Sequence, residues 1–236
     1  MTVFYPVSLK LDGRRCVVIG GGPVAEQKVM GLLAAGARVT VISPETTGRV
    51  AGLAARGAIQ LIQRRYLRGD LEGAFLAVTD DRSVNHEVWE EAEERGVLLN
   101  AVDDLPHCGF IAPAIYRQGD LTVAVSTAGK SPALAAHVRD RLGAPIGPEY
   151  GTFLDLLGEL RPQVALRVPD AASRAALWRR IVDSDAIEFI RRGNLASARG
   201  RITHLVDEAA AGSGARSSAG IAVQPAPADP GGWPPS

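Results

Sequence analysis

The stretch VVIGGGPVAEQK, residues 17–28, most constrains what this chain can fold into. An apolar, β-branched run stops at three consecutive glycines and turns at once into a helix-like repeat. The backbone at that turn must therefore approach something closely enough to exclude side chains. Ala25, Val29, Leu32 and Leu33 fall on one helical face, and Gly36 supplies a C-terminal stop.

The same alternation continues for the first hundred residues. RCVVIG (15–20), ARVTVI (37–42), IQLIQ (59–63), AFLAVT (74–79) and VLLNAV (97–102) are short runs bounded by turn residues and read as strands buried on both faces. Val84, Val88 and Ala92 repeat the helical spacing before the last of them, with Glu90, Glu91, Glu93 and Glu94 outside the apolar stripe. Strands alternating with helices predict an α/β fold, a Rossmann-like doubly wound parallel sheet with right-handed crossovers.

In that frame Gly20, Gly22 and Ala25 satisfy G-x-G-x-x-G/A directly after a strand and at the opening of a helix. Gly20 permits the tight turn, Gly22 lets the backbone approach a pyrophosphate, and Ala25 keeps helix and strand close. The free N–H groups and positive end of the helix then favour the phosphates. An acid that reaches the adenosine ribose is expected near the tip of the second strand, where VISPE places Ser43, Pro44 and Glu45. No arginine stands immediately beside Glu45, which favours NAD over NADP, although Arg49 is near enough to leave the second open. Read without a ligand, Ser43 and Pro44 would only begin the next helix.

Composition narrows the partners. The chain has 26 basic and 26 acidic residues and no net charge, so no global field draws it to nucleic acid or an anionic membrane, and anion recognition has to be local. No window reaches the roughly 18 apolar residues of a membrane span, and the first residues lack a secretory layout, so a cytoplasmic protein is expected. Cys16 and Cys108 are the only cysteines; Cys16 falls in a buried strand, which leaves neither a disulfide framework nor a cysteine metal site. No pair among His86, His107, His137 and His204 has the sequence spacing of a stable metal site, so a resident metal is not expected and any metal ligand is left unassigned.

Residues 100–142 change character: a polar loop, a strand (121–127), a Gly-Lys-Ser-Pro turn and a helix. Asp103 and Asp104 lie just beyond the carboxyl end of a strand, where an α/β sheet places its ligands, and mark the expected reaction centre. Asp103 is read as facing the cleft and Asp104 as capping a turn. His107, in the same loop, is a candidate for proton transfer or metal entry.

Taken together, LDGRRCVVIGGGPVAEQKVMGLLAAGARVTVISPE, TDDRSVNHEV, NAVDD, FIAPAI and LTVAVSTAGKSPALAAHVRDRL resemble the siroheme synthase N-terminal module family: precorrin-2 dehydrogenase, in some members also sirohydrochlorin ferrochelatase. The resemblance runs from about residue 7 to about 160, with a looser helical match to about 210. It implies NAD bound by Gly20, Gly21, Gly22, Pro23 and Val24 and by Pro44 and Glu45, and it makes Asp103, which closes N-x-V-D, the catalytic residue. It also implies a tetrapyrrole substrate, Fe²⁺ as a possible second substrate, and a homodimer built by residues 114–150. The expected domains are a NAD-binding domain (1–113), a small α+β dimerisation segment (114–150), a helical domain (151–210) and a disordered tail (211–236).

A substrate with eight carboxylates needs local cations. Ser126, Thr127 and Lys130, with the helix start at Ser131 and Pro132, form the candidate substrate site; Arg117, Arg139 and Arg141, and past residue 160 Arg174, Arg179, Arg180, Arg191 and Arg192, are further cations that are otherwise solvated surface charges. Thr127 stands where some members carry serine, and Ala128 where glycine is frequent, so the methyl of Ala128 restricts that turn. Two other functions fit parts of the chain. AVSTAGKS (124–131) resembles a P-loop but has Ala124 in place of the first glycine, and a NAD-binding regulatory module would share the fold without catalysis.

Overall fold

The structure is a computed structural model that describes residues 4–216, with side chains described to residue 211. The described residues divide into two compact units: 4–115 with 124–139, and 116–123 with 140–216. The division passes through the segment 114–150.

The first unit is built on a five-stranded sheet in the order β3-β2-β1-β4-β5, with every neighbouring pair parallel. Its strands are β1 (Arg15–Ile19), β2 (Arg38–Ile42), β3 (Gln60–Ile62), β4 (Leu76–Thr79) and β5 (Leu98–Ala101), joined through α1 (Pro23–Ala34), α2 (Gly48–Ala55) and α3 (Asn85–Arg95). Alternate side chains of β1 enter two separate cores. Cys16 and Val18 join Ala25, Val29, Val50 and Leu53 on one face, while Val17 and Ile19 join Val88, Ala92 and Leu99 on the other. Both faces are covered, so the strand reads as an unbroken apolar run. Burial pushes the Cys16 thiol up to about 11, which makes it a core residue without reactivity.

Two expectations change. β3 is an edge strand with Gln60 exposed, so it is not buried on both faces. Glu91, read as lying outside the apolar stripe, is fully buried. Its carboxylate accepts hydrogen bonds from the Tyr66 hydroxyl, from the N–H groups of Gly69 (2.9 Å) and Leu71 (3.2 Å), and from Arg95 at 2.6 Å. The loop before β4 is thus clamped to α3. Burial by itself would raise the Glu91 carboxyl, but these donors together hold it below its ordinary range.

A β-hairpin of β6 (Ala114–Gln118) and β7 (Leu121–Val125) follows, and α4 (Pro132–Gly143) comes after it. The second unit is completed by α5 (Pro148–Arg167), α6 (Ala171–Val182), α7 (Ala186–Arg191) and α8 (Leu195–Arg216). Phe153, Leu156, Leu160, Val164, Leu177, Ile181 and Ile202 form its core. The helix α8 continues to Arg216, past the residue where the tail was expected to begin, and residues 217–236 lie outside the described residues. No helix among the described residues is long and apolar enough to cross a membrane.

Candidate functional site

The sheet order reverses between β1 and β4, and the glycine turn lies at the carboxyl end of β1, at that switch point. Gly20 has φ +113°, and a Cβ there would stand 3.2 Å from Asp80 Cβ. Its N–H donates to Ile42 O at 3.0 Å. Gly21 is the tightest of the three: a Cβ would meet Glu45 O at 2.1 Å and Ser43 Oγ at 2.9 Å. Gly21 O also accepts from the Thr47 N–H at 2.9 Å, so the first glycine turn and the loop after β2 are locked together. Gly22 differs. A Cβ there would meet nothing nearer than Asp80 Oδ2 at 3.7 Å, and the residue lines an open crevice with Gly21, Glu45, Thr46 and Thr47.

Gly22 is the N-cap of α1 with no side-chain cap, and Pro23 follows in the first turn. The helix start and the open space beside Gly22 fit a pyrophosphate. Pro44 and Glu45 are exposed, and Ser43 Oγ donates to Glu45 O at 2.6 Å. The next helix starts later than the ligand-free reading of Ser43 and Pro44 requires: Thr47 caps α2, its Oγ1 accepting from Val50 N–H. Arg49 pairs with Glu26 at 3.5 Å, and Thr47 Oγ1 donates to the same carboxylate at 2.6 Å.

Asp80, which no motif in the sequence marks, lies against both Gly20 and Gly22. It follows β4, its carboxylate accepts from the Ala25 N–H, and burial followed by the charge of Asp103 hold its carboxyl above the usual range. The available signal was its position one residue beyond the strand that neighbours β1.

Beyond β5, Asp103 adopts φ +55° and is 72% exposed, with Arg82 3.5 Å away. A non-glycine residue in that conformation stores about 1–2 kcal/mol. Asp104 does not cap a turn with its side chain. It accepts instead from Asn85 Nδ2 at 2.9 Å and lies 2.8 Å from His107 Nδ1; the Asn85 bond, then the His107 contact, hold its carboxyl below the usual range. Asn85 is itself buried, and Thr79 Oγ1 donates to its Oδ1 at 3.0 Å. The side chain of Cys108 donates to Ala101 O at 3.1 Å, and burial raises its thiol, which suits a structural residue.

The loop after β7 lies against the short 3-10 turn Leu105–His107, because a Cβ on Gly129 would come 3.0 Å from Leu105 Cδ1. Ser126 Oγ accepts from Ala128 N–H, and Thr127 Oγ1 exchanges hydrogen bonds with the backbone of Ser131. Ala128 takes φ +53°, the strained geometry that its methyl opposes. Lys130 is exposed. Ser126, Thr127 and Lys130 therefore belong to the same unit as the aspartyl loop and stand beside its turn. Among the more distant cations, Arg174 donates to Val168 O and Pro169 O, Arg180 pairs with Glu208, and Arg191 pairs with Glu149 and Glu188, all within the second unit.

Three family models match the chain. One, described as putative NAD(P)-binding, spans residues 7–114; another, the sirohaem biosynthesis protein central region, spans 118–144; the sirohaem synthase dimerisation region spans 149–206. That last description falls on the helices of the second unit, C-terminal to most of the segment 114–150. A siroheme synthase of Chromobacterium violaceum is 38% identical over 229 residues, covering 96% of this chain and 48% of the relative. One of Thioalkalivibrio sulfidiphilus is 39% identical over 198 residues, covering 83% of this chain and 40% of the relative. The chain thus spans about half the length of these relatives. A solved structure, SirC, precorrin-2 dehydrogenase, superposes with a TM-score of 0.70 at 25% identity, covering 85% of this chain and all of the other.

Proposed function

Since the chain belongs to the siroheme synthase N-terminal module family, we propose that it oxidises precorrin-2 to sirohydrochlorin with NAD. The observation that carries this reading is the open side of Gly22, in a turn whose other two glycines are closed by Asp80 and Glu45. NAD, when bound, supplies the hydride acceptor. The proposed cofactor residues are Gly20, Gly21, Gly22, Pro23 and Val24 at the pyrophosphate, with Pro44 and Glu45 at the ribose. The exposed Glu45 carboxylate disfavours a 2′-phosphate, and Arg49 is already engaged by Glu26, which supports NAD over NADP.

Removing a hydride and a proton from the macrocycle requires a base beside the acceptor. Asp103 is the proposed base. It is exposed and held by one guanidinium at 3.5 Å, so its oxygens can reach an incoming N–H or C–H. Ser126, Thr127 and Lys130, beside the same loop, are the proposed partners of the substrate carboxylates. Insertion of Fe²⁺ into sirohydrochlorin is proposed as a second activity, with Asp103 taking the pyrrole protons. The proposed assembly is a homodimer formed through residues 114–150 and the helices that follow; the exposed Leu134 and the match to a dimerisation region support it. A cytoplasmic location is proposed with it.

The test is anaerobic incubation with precorrin-2 and NAD, following the absorbance of sirohydrochlorin and NADH. Appearance of both in equal amounts is expected. Folded protein that binds NAD and produces neither would leave a regulatory module as the better account.

A further inference from the structure

Two histidines far apart in sequence meet at the N-terminal end of α3. His86 Nδ1 and His107 Nε2 are 3.4 Å apart. Each outer nitrogen faces a carboxylate: His107 Nδ1 lies 2.8 Å from Asp104 Oδ2, and His86 Nε2 lies 3.5 Å from Glu90 Oε1. A neutral imidazole carries one N–H, and the Asp104 carboxylate at 2.8 Å favours that proton on His107 Nδ1, which leaves Nε2 as a lone pair facing His86. His86 Nδ1 either donates to that lone pair or, with its own proton on Nε2, sets a second lone pair beside it. In the second tautomer the two lone pairs can share a cation.

The spacing suits a shared cation. A hydrogen bond through nitrogen is usually about 2.7–3.2 Å long, and 3.4 Å exceeds it. Two nitrogens bound about 2.1 Å from one ion at a tetrahedral angle are separated by roughly 3.4 Å. The surroundings also have the construction of a ligand shell. Asp104, behind His107, is fixed by Asn85, and Asn85 by Thr79 of the buried sheet. Trp89 packs against both rings, with centroids at 5.8 and 5.5 Å. Among the described residues no group of three or more His, Cys, Asp and Glu is placed to hold a metal, so an ion here would have two protein ligands and complete its shell with water or substrate. His86 is 68% exposed, which allows rapid exchange.

We propose that His86 and His107 form a docking site for a divalent first-row transition ion of the Fe²⁺ class, a cation that imidazole nitrogen suits. The site binds weakly and reversibly, with His107 three residues beyond Asp104. Transfer of the ion to a tetrapyrrole rests on the proposed insertion activity; binding of the ion does not.

The experiment uses the full, tag-free chain titrated with Co²⁺ or Zn²⁺ without NAD or tetrapyrrole, read by calorimetry, by the visible spectrum of Co²⁺ and by quenching of Trp89 emission. One equivalent is expected. His86→Ala and His107→Ala should each lower affinity at least tenfold, and Asp104→Asn about 10- to 100-fold. Trp89→Phe should remove the quenching and keep the affinity. His86 is exposed, so its variant keeps the fold, which circular dichroism checks. Unchanged affinity in either histidine variant, or no binding by the parent chain, overturns the site. In an anaerobic insertion assay His86→Ala should raise the KM for Fe²⁺ and leave NAD-linked oxidation unchanged. A parent chain that binds Co²⁺ but inserts no iron would refute the transfer alone.

Discussion

Two carboxylates of the first unit, Glu91 and Asp103, are satisfied in opposite ways. Glu91 is fully buried and receives four donors, one of them an arginine. Asp103 is 72% exposed, has a single guanidinium at 3.5 Å and sits in a strained backbone conformation. A carboxylate with every lone pair occupied holds structure together and has nothing left for a ligand. A carboxylate held loosely at the end of a parallel strand is available for a proton. Asp80 lies between these extremes, with one backbone donor from α1 and a carboxyl raised by burial.

The largest expected effect is at the open crevice. Gly22→Asp places bulk and negative charge where the proposed pyrophosphate lies, and NAD affinity should fall more than 100-fold with an unchanged unfolding curve. Equal NAD affinity by calorimetry would break the assignment of that crevice. Next, Asp103→Ala should keep the NAD Kd and lower kcat about 10²- to 10⁴-fold in the precorrin-2 assay. If turnover survives, the loosely held carboxylate is not the base.

Glu91→Ala tests the other side of the comparison. Removing a buried, paired carboxylate leaves Arg95 and two backbone N–H groups without an acceptor, and stability should fall by about 3 kcal/mol in thermal or denaturant unfolding. The pH dependence carries its own sign. Because the folded protein holds the Glu91 proton less tightly than the unfolded chain does, its contribution is complete above the ordinary carboxylate range and is lost on acidification through the depressed folded value. Glu91→Gln should therefore lose less Tm than the parent between neutral pH and the acid range. The smallest effect is at Ala128, where φ is +53°. Ala128→Gly should stabilise the chain by up to about 1 kcal/mol, since relief of the left-handed strain outweighs the added freedom of the unfolded chain.

Much of the first unit was legible because its determinants are local. Strands with both faces covered are written as apolar runs, and Gly20 and Gly22 mark a turn whose geometry side chains oppose. Gly21 shows the limit. The motif treats it as a variable position, but the fold brings Glu45 O to 2.1 Å from where its Cβ would be. Glu91 misled for the same reason: helical periodicity assigned it to solvent, while the loop carrying Tyr66, Gly69 and Leu71 folds over it.

The sequence by itself determined the alternating α/β order, the glycine turn at the first crossover and the aspartate pair beyond the fifth strand, since each rests on residue type and short spacing. Only the tertiary structure decided which partners tie Asp104 down and that His86 meets His107. Asp104 is engaged because Asn85 and His107 approach it from two different elements, and the histidines meet across 21 positions of sequence. Such convergence depends on how β4, α3 and β5 pack together, and no local pattern of residues encodes that distance.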